Sequence, residues 1–67
     1  MTRKEEILNQ ASELILINGL NSYESADKLF ENRDKKTFNR DVAERITYQT
    51  YWDISKKVIL DNGLERE

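Results

Sequence analysis

Gln49, Thr50, Asp53, Lys56 and Lys57 recur at a spacing that puts them on one face of a helix. Their amide, hydroxyl and ammonium groups are the types that hydrogen-bond base edges and contact phosphates. Lys35, Lys36 and Arg40 lie just upstream and add positive charge. Tyr51 falls at the edge of an apolar stripe, where a tyrosine buries its ring and still offers its hydroxyl to a phosphate. Nucleic acid is therefore the expected partner, with double-stranded DNA favoured. Base stacking on single strands is not expected, because Tyr48, Tyr51 and Trp52 share the apolar side rather than the open one.

Other chemistry has little to build on. There is no His and no Cys. That removes the usual general base near neutral pH, Ser-His and Cys-His pairs, disulfides and thiolate metal sites. Thirteen carboxylates are present, but they fall on faces expected to be exposed. Asp41 and Glu44 are three apart on a helix and are read as solvated surface rather than an acid-base pair. No dense acidic loop suits calcium, and no glycine-rich loop suits a phosphate. No enzyme activity, cofactor or metal is expected.

Sixty-seven residues suffice for one small helical domain, near the lower limit for an independent core. Pro is absent, and both Gly follow an Asn, as in helices ended by left-handed caps. The net charge of −2 is unevenly spread. Residues 1–20 carry −1, residues 21–34 carry −2, residues 35–60 carry +3 and residues 61–67 carry −2. One basic window thus sits between acidic flanks. No apolar run reaches a membrane span and no signal-peptide pattern opens the chain, so a cytoplasmic protein is expected.

Four helices must position these groups, at about 2–18, 22–31, 38–46 and 48–61. Thr2 and Glu5 form a capping-box pattern for the first. Its stripe is Ile7, Leu8, Ala11, Leu14 and Ile15, and Gly19 stops it. Leu16 lies opposite that stripe and Ile17 beside it. They are either part of a wide buried face or contacts with another chain. Asn21 and Glu24 make a second capping pattern, and Tyr23, Ala26, Leu29 and Phe30 form the apolar side of the second helix. The charged run from Glu31 to Lys36 reads as a loop. Thr37 or Asn39 opens the third helix, with Phe38, Val42, Ala43 and Ile46 along one side. The stripe of Tyr48, Tyr51, Trp52, Ile54, Val58 and Ile59 lies roughly opposite in phase. A single helix over 37–60 would be apolar nearly all round. Two helices broken near Thr47 remove that conflict, although the turn has no Gly. Asn62-Gly63 closes the last helix and residues 64–67 are expected to fray.

Two segments carry a family resemblance. TRKEEILNQASELILINGLN, residues 2–21, is similar to the first helix of the DNA-binding region of TetR-type repressors. RDVAER resembles the helix that opens the helix-turn-helix of that family. TYWDISKKVIL resembles the end of its recognition helix and the start of the next segment, with Tyr51, Ile54, Lys57 and Leu60 in place. About a dozen extra residues separate the segments, the turn before Tyr51 is about three residues short, and these 67 residues hold no counterpart of the family's ligand-binding and dimerising domain. In a second register, Tyr23 to Phe30 opens the motif and TFNRDV is the reading helix, which exchanges Gln49 and Thr50 for Asn39 and Arg40. The resemblance implies a DNA-binding transcriptional regulator reading the major groove, often as a dimer on two half-sites. Tyr51, Lys56 and Lys57 would then hold phosphates, and Leu16 and Ile17 are the candidate dimer contacts. The rival expectation is a small inhibitor or adaptor of phage or mobile-element type. It would bind a protein through Leu16, Ile17 and the acidic segment 21–34.

Overall fold

Thr2 caps the first helix, its hydroxyl accepting from the Glu5 N–H at 3.2 Å. A computed structural model describes residues 2–64 of the chain. Helix α1 spans Arg3–Ser12 and continues into a π-helical turn, Glu13–Ile17. In that turn the Asn18 N–H reaches the Glu13 carbonyl at 3.4 Å. The buried positions are Arg3, Ile7, Ala11 and Ile15. The stripe is therefore narrower than the apolar pattern predicts: Leu8 is exposed and Leu14 half-buried. Leu16 and Ile17 both face solvent. Gly19 ends the element at φ +74°, in the left-handed region open to glycine.

Helix α2, Ser22–Glu31, starts with the predicted capping box. The Glu24 N–H donates to Asn21 at 2.8 Å and the Asn21 N–H donates to the Glu24 carboxylate at 3.2 Å. Its buried face is unexpectedly polar, made of Ser22, Ser25 and Ala26. Tyr23, expected inside, is exposed. Ser55, on the last helix of the chain, donates to Ser25 at 3.1 Å, so two small hydroxyl residues satisfy each other where the helices meet.

Helix α3, Lys35–Ala43, begins earlier than expected. Asp34 is its N-cap, accepting from the Thr37 N–H at 2.7 Å. The predicted loop thus shrinks to Asn32, Arg33 and Asp34, and Lys35 and Lys36 become the first turn of the helix. The expected apolar side is also corrected. Phe38, Val42 and Ala43 face solvent, and the buried residue of α3 is Asp41.

The chain breaks between Ala43 and Tyr48, so residues 37–60 are two helices. The turn lacks Gly because Arg45 itself takes the left-handed conformation, at φ +58°. Around it the Ile46 N–H bonds the Asp41 carbonyl at 2.7 Å and the Arg45 N–H bonds that of Val42 at 3.2 Å. This is the paired closure of a Schellman motif, with Ile46 dropping into the core. Thr47 then caps α4, Tyr48–Asp61.

Helix α4 is the centre of this all-α bundle and packs on both α1 and α2. One cluster joins Ile7, Ala26, Ile46 and Tyr51, and the other joins Ala11, Ile15, Val58 and Ile59. Gly63 closes α4, and Leu64 folds back on the second cluster. The rest of the expected frayed tail, residues 65–67, lies outside the described residues. Among the described residues no helix is long and apolar enough to cross a membrane.

Candidate nucleic-acid interface

Helix α3 is fixed to the bundle through charge rather than apolar packing. Asp41 is fully buried and accepts hydrogen bonds from three elements. Arg3 of α1 donates from Nε at 2.6 Å, and Arg33 of the α2–α3 turn donates from Nη1 at 3.2 Å. Tyr51 of α4 donates its hydroxyl to the same carboxylate. The Tyr51 oxygen in turn accepts from Arg3 at 2.9 Å. Burial alone would raise the Asp41 pKa, but the bonds from Arg3, Tyr51 and Arg33 outweigh it and hold the carboxyl below its ordinary value. Burial and the Asp41 bond push the Tyr51 hydroxyl up. Arg33 also donates to the Phe30 carbonyl at 2.9 Å. Its guanidinium lies 3.9 Å from the Phe30 ring centroid and 5.1 Å from that of Phe38. The short turn is thereby clamped to both of the helices it joins.

The inward placement of Asp41 decides what α3 offers to solvent. Each residue advances about 100°, so Asn39 and Ala43 both lie about 160° from Asp41, and Lys36 about 140°. Lys35, Lys36, Asn39, Arg40 and Ala43 line one shallow cleft on that side. Arg40 turns partly back, donating to Glu6 at 3.0 and 3.3 Å. The Asp34 carboxylate at the start of the helix is engaged by its cap.

The predicted DNA-contact residues thus divide between two helices. Lys35, Lys36 and Arg40 belong to α3, as described. On α4, Gln49 and Lys57 are exposed, and Thr50 and Lys56 are half-buried. Gln49 donates to Asp53 at 2.8 Å, and the Thr50 hydroxyl accepts from the Thr47 N–H at 3.3 Å. Lys56 sits 5.8 Å from the Trp52 ring centroid. Gln49 shares a separate cleft with Tyr23, Tyr48 and Trp52. Tyr51 is a correction: it is fully buried, with its hydroxyl held by Asp41 and Arg3, so it is not available to a phosphate. Asp41 and Glu44 share no site, one being buried and the other exposed.

Sequence reasoning missed Arg3, Arg33 and the inward turn of Asp41. A signal for Arg3 was present, since Arg3, Ile7, Ala11 and Ile15 are spaced by four. Asp41 carried no such mark, because it lies between Phe38 and Val42 in an apparently amphipathic helix. Among the described residues no cluster of three or more acidic side chains could hold a metal. No known protein family, curated protein or solved structure matches this chain.

Proposed function

We propose that this chain is a DNA-binding transcriptional regulator whose reading element is α3 rather than α4. The observation that carries this reading is the outward face of α3, where Lys35, Lys36 and Asn39 come directly after a three-residue turn. Two helices joined by three or four residues make a helix-turn-helix connection, and the N-terminal part of the second helix meets the base edges. Between residues 35 and 40 the helix has no acidic side chain, which favours a polyanion. This corresponds to the second register of the TetR-type resemblance. Helix α4 suits the role less well, because it fills the centre of the bundle and its Gln49 is tied to Asp53. A regulator of this kind works in the cytoplasm.

Mobility shifts with mixed-sequence duplexes at low and moderate salt test the reading. Each phosphate contact adds about 0.9 to the log–log salt slope for duplex DNA. Lys35→Ala with Lys36→Ala should therefore lower that slope by about 1.8, while Lys56→Ala with Lys57→Ala leaves it unchanged. The reverse result would return the reading role to α4. No retardation at low salt would reject DNA binding.

A second reading is favoured by one observation: Leu16 and Ile17 are 47% and 76% exposed beside each other. Apolar side chains so placed suit contact with a protein, either a second copy on a two-half-site operator or a foreign target.

A further inference from the structure

Resting on the DNA-binding reading, we infer that α3 selects A·T pairs, with Asn39 on an adenine and Ala43 on the methyl group of a nearby thymine. Asn39 is exposed at the middle of the outer face, and its amide makes no side-chain hydrogen bond among the described residues. An amide carries one donor and one acceptor side by side, which matches the N6 donor and N7 acceptor that adenine shows in the major groove. Ala43 lies four residues on, along the same face, and is also exposed. Its methyl has no hydrogen-bonding capacity, and the thymine C5-methyl is the apolar feature the major groove offers. Four residues of helix cover about 6 Å, close to two base-pair steps of about 3.4 Å. Lys36, one turn before Asn39, carries the charge that holds this face against the backbone. The partner is thus a duplex rather than a single strand, since the exposed ring of α3, Phe38, lies about 100° round the helix from Asn39, beside the Arg33 guanidinium, and not in this row.

The test begins by selecting duplexes from a randomised pool with the full chain at low salt. The retained duplexes are then resynthesised with 7-deazaadenine for adenine, or uracil for thymine. We expect the pool to fix an adenine within about two steps of a thymine. Removing N7 from that adenine should weaken binding at least about fivefold, and removing the thymine methyl about fourfold. Asn39→Ala should abolish the 7-deazaadenine effect and leave the salt slope unchanged. Ala43→Gly should abolish the uracil effect. Circular dichroism checks that both variants keep their helix content. If duplexes are retained but neither base analogue matters, or Asn39→Ala stays sensitive to 7-deazaadenine, the assignment of Asn39 and Ala43 is overturned while DNA binding stands. If no duplex is retained at all, both this inference and the DNA-binding reading fall.

Discussion

Asp41 accepts from Arg3, Arg33 and Tyr51 at once, so its side chain joins α1, the α2–α3 turn and α4. A buried carboxylate is tolerated only when charge and hydrogen bonding are both satisfied, and here two guanidinium groups and a phenol do so. Removing it leaves Arg33 without its carboxylate and Arg3 with Glu6 alone, both in a largely buried position. Asp41→Ala is therefore expected to cost about 3–5 kcal/mol, a large share of the stability of any domain this size. Urea unfolding monitored by circular dichroism measures this, and a loss below about 1 kcal/mol would show that α3 is held in some other way. Asp41→Asn should lose less, since its amide oxygen still accepts from one arginine.

At the scale of elements, α3 is unusual in turning Phe38 and Val42 outward while its one buried side chain is ionic. A helix so attached keeps its outer face open to a partner. Its end is set by Arg45 in the left-handed conformation, which costs an L-residue roughly 1–2 kcal/mol. Arg45→Gly should relieve that strain and raise stability by about 1 kcal/mol, less the extra freedom glycine gains when unfolded. Gly19→Ala should do the opposite. Nothing lies within 4 Å of a Cβ placed there, so the backbone angle alone decides the outcome. Urea midpoints of the two variants should move in opposite directions. Equal shifts would contradict this account of the helix ends.

For the molecule as a whole, the charged network ties stability to pH at both ends. Asp41 and Glu6 have folded-state pKa values below the ordinary 3.8 and 4.5. For Glu6 the main cause is the Arg40 bond, then burial, which opposes it, and then the Arg3 bond. Their contribution is present above those ordinary values and is lost as pH falls through the lowered ones. Tyr51 is raised above 10.0, so its contribution is intact below that value and is lost as pH rises through the folded pKa. The urea midpoint should therefore be flat between about pH 5 and 9 and fall on either side. Asp41→Asn should reduce the acid arm to the part carried by Glu6 and the Asp34 cap. Tyr51→Phe should reduce the alkaline arm to the part carried by Tyr48, which its bond to Asp27 raises to about 12. Wild-type arms that persist in both variants would assign the pH response to other groups. Self-association is the second property at this scale. Leu16→Glu with Ile17→Glu changes exposed positions, so stability should move by no more than about 0.5 kcal/mol per site. In sedimentation on a duplex carrying two half-sites, the wild-type chain should load as two copies cooperatively and the variant without cooperativity. Equal cooperativity would remove these residues from the interface.

Helix number, the break near Thr47, the Asn21 capping box and both glycine stops obey local rules, and the sequence alone determined them. Each depends on residues within about one turn of one another, so neighbours suffice to read them. The α4 core was legible for a related reason, since Tyr51, Val58 and Ile59 recur at helical spacing. What only the tertiary structure decided is the direction α3 faces. Apolar periodicity turns Phe38 and Val42 inward, but Arg3 is 38 residues from Asp41 in sequence and meets it only once the bundle closes. A buried ionic contact between distant residues leaves no periodic trace. That contact rotates Asp41 inward, places Asn39 and Lys36 outside and withdraws Tyr51 from the surface. The candidate interface thus moved from α4 to α3 because long-range charge pairing overrode the local hydrophobic pattern.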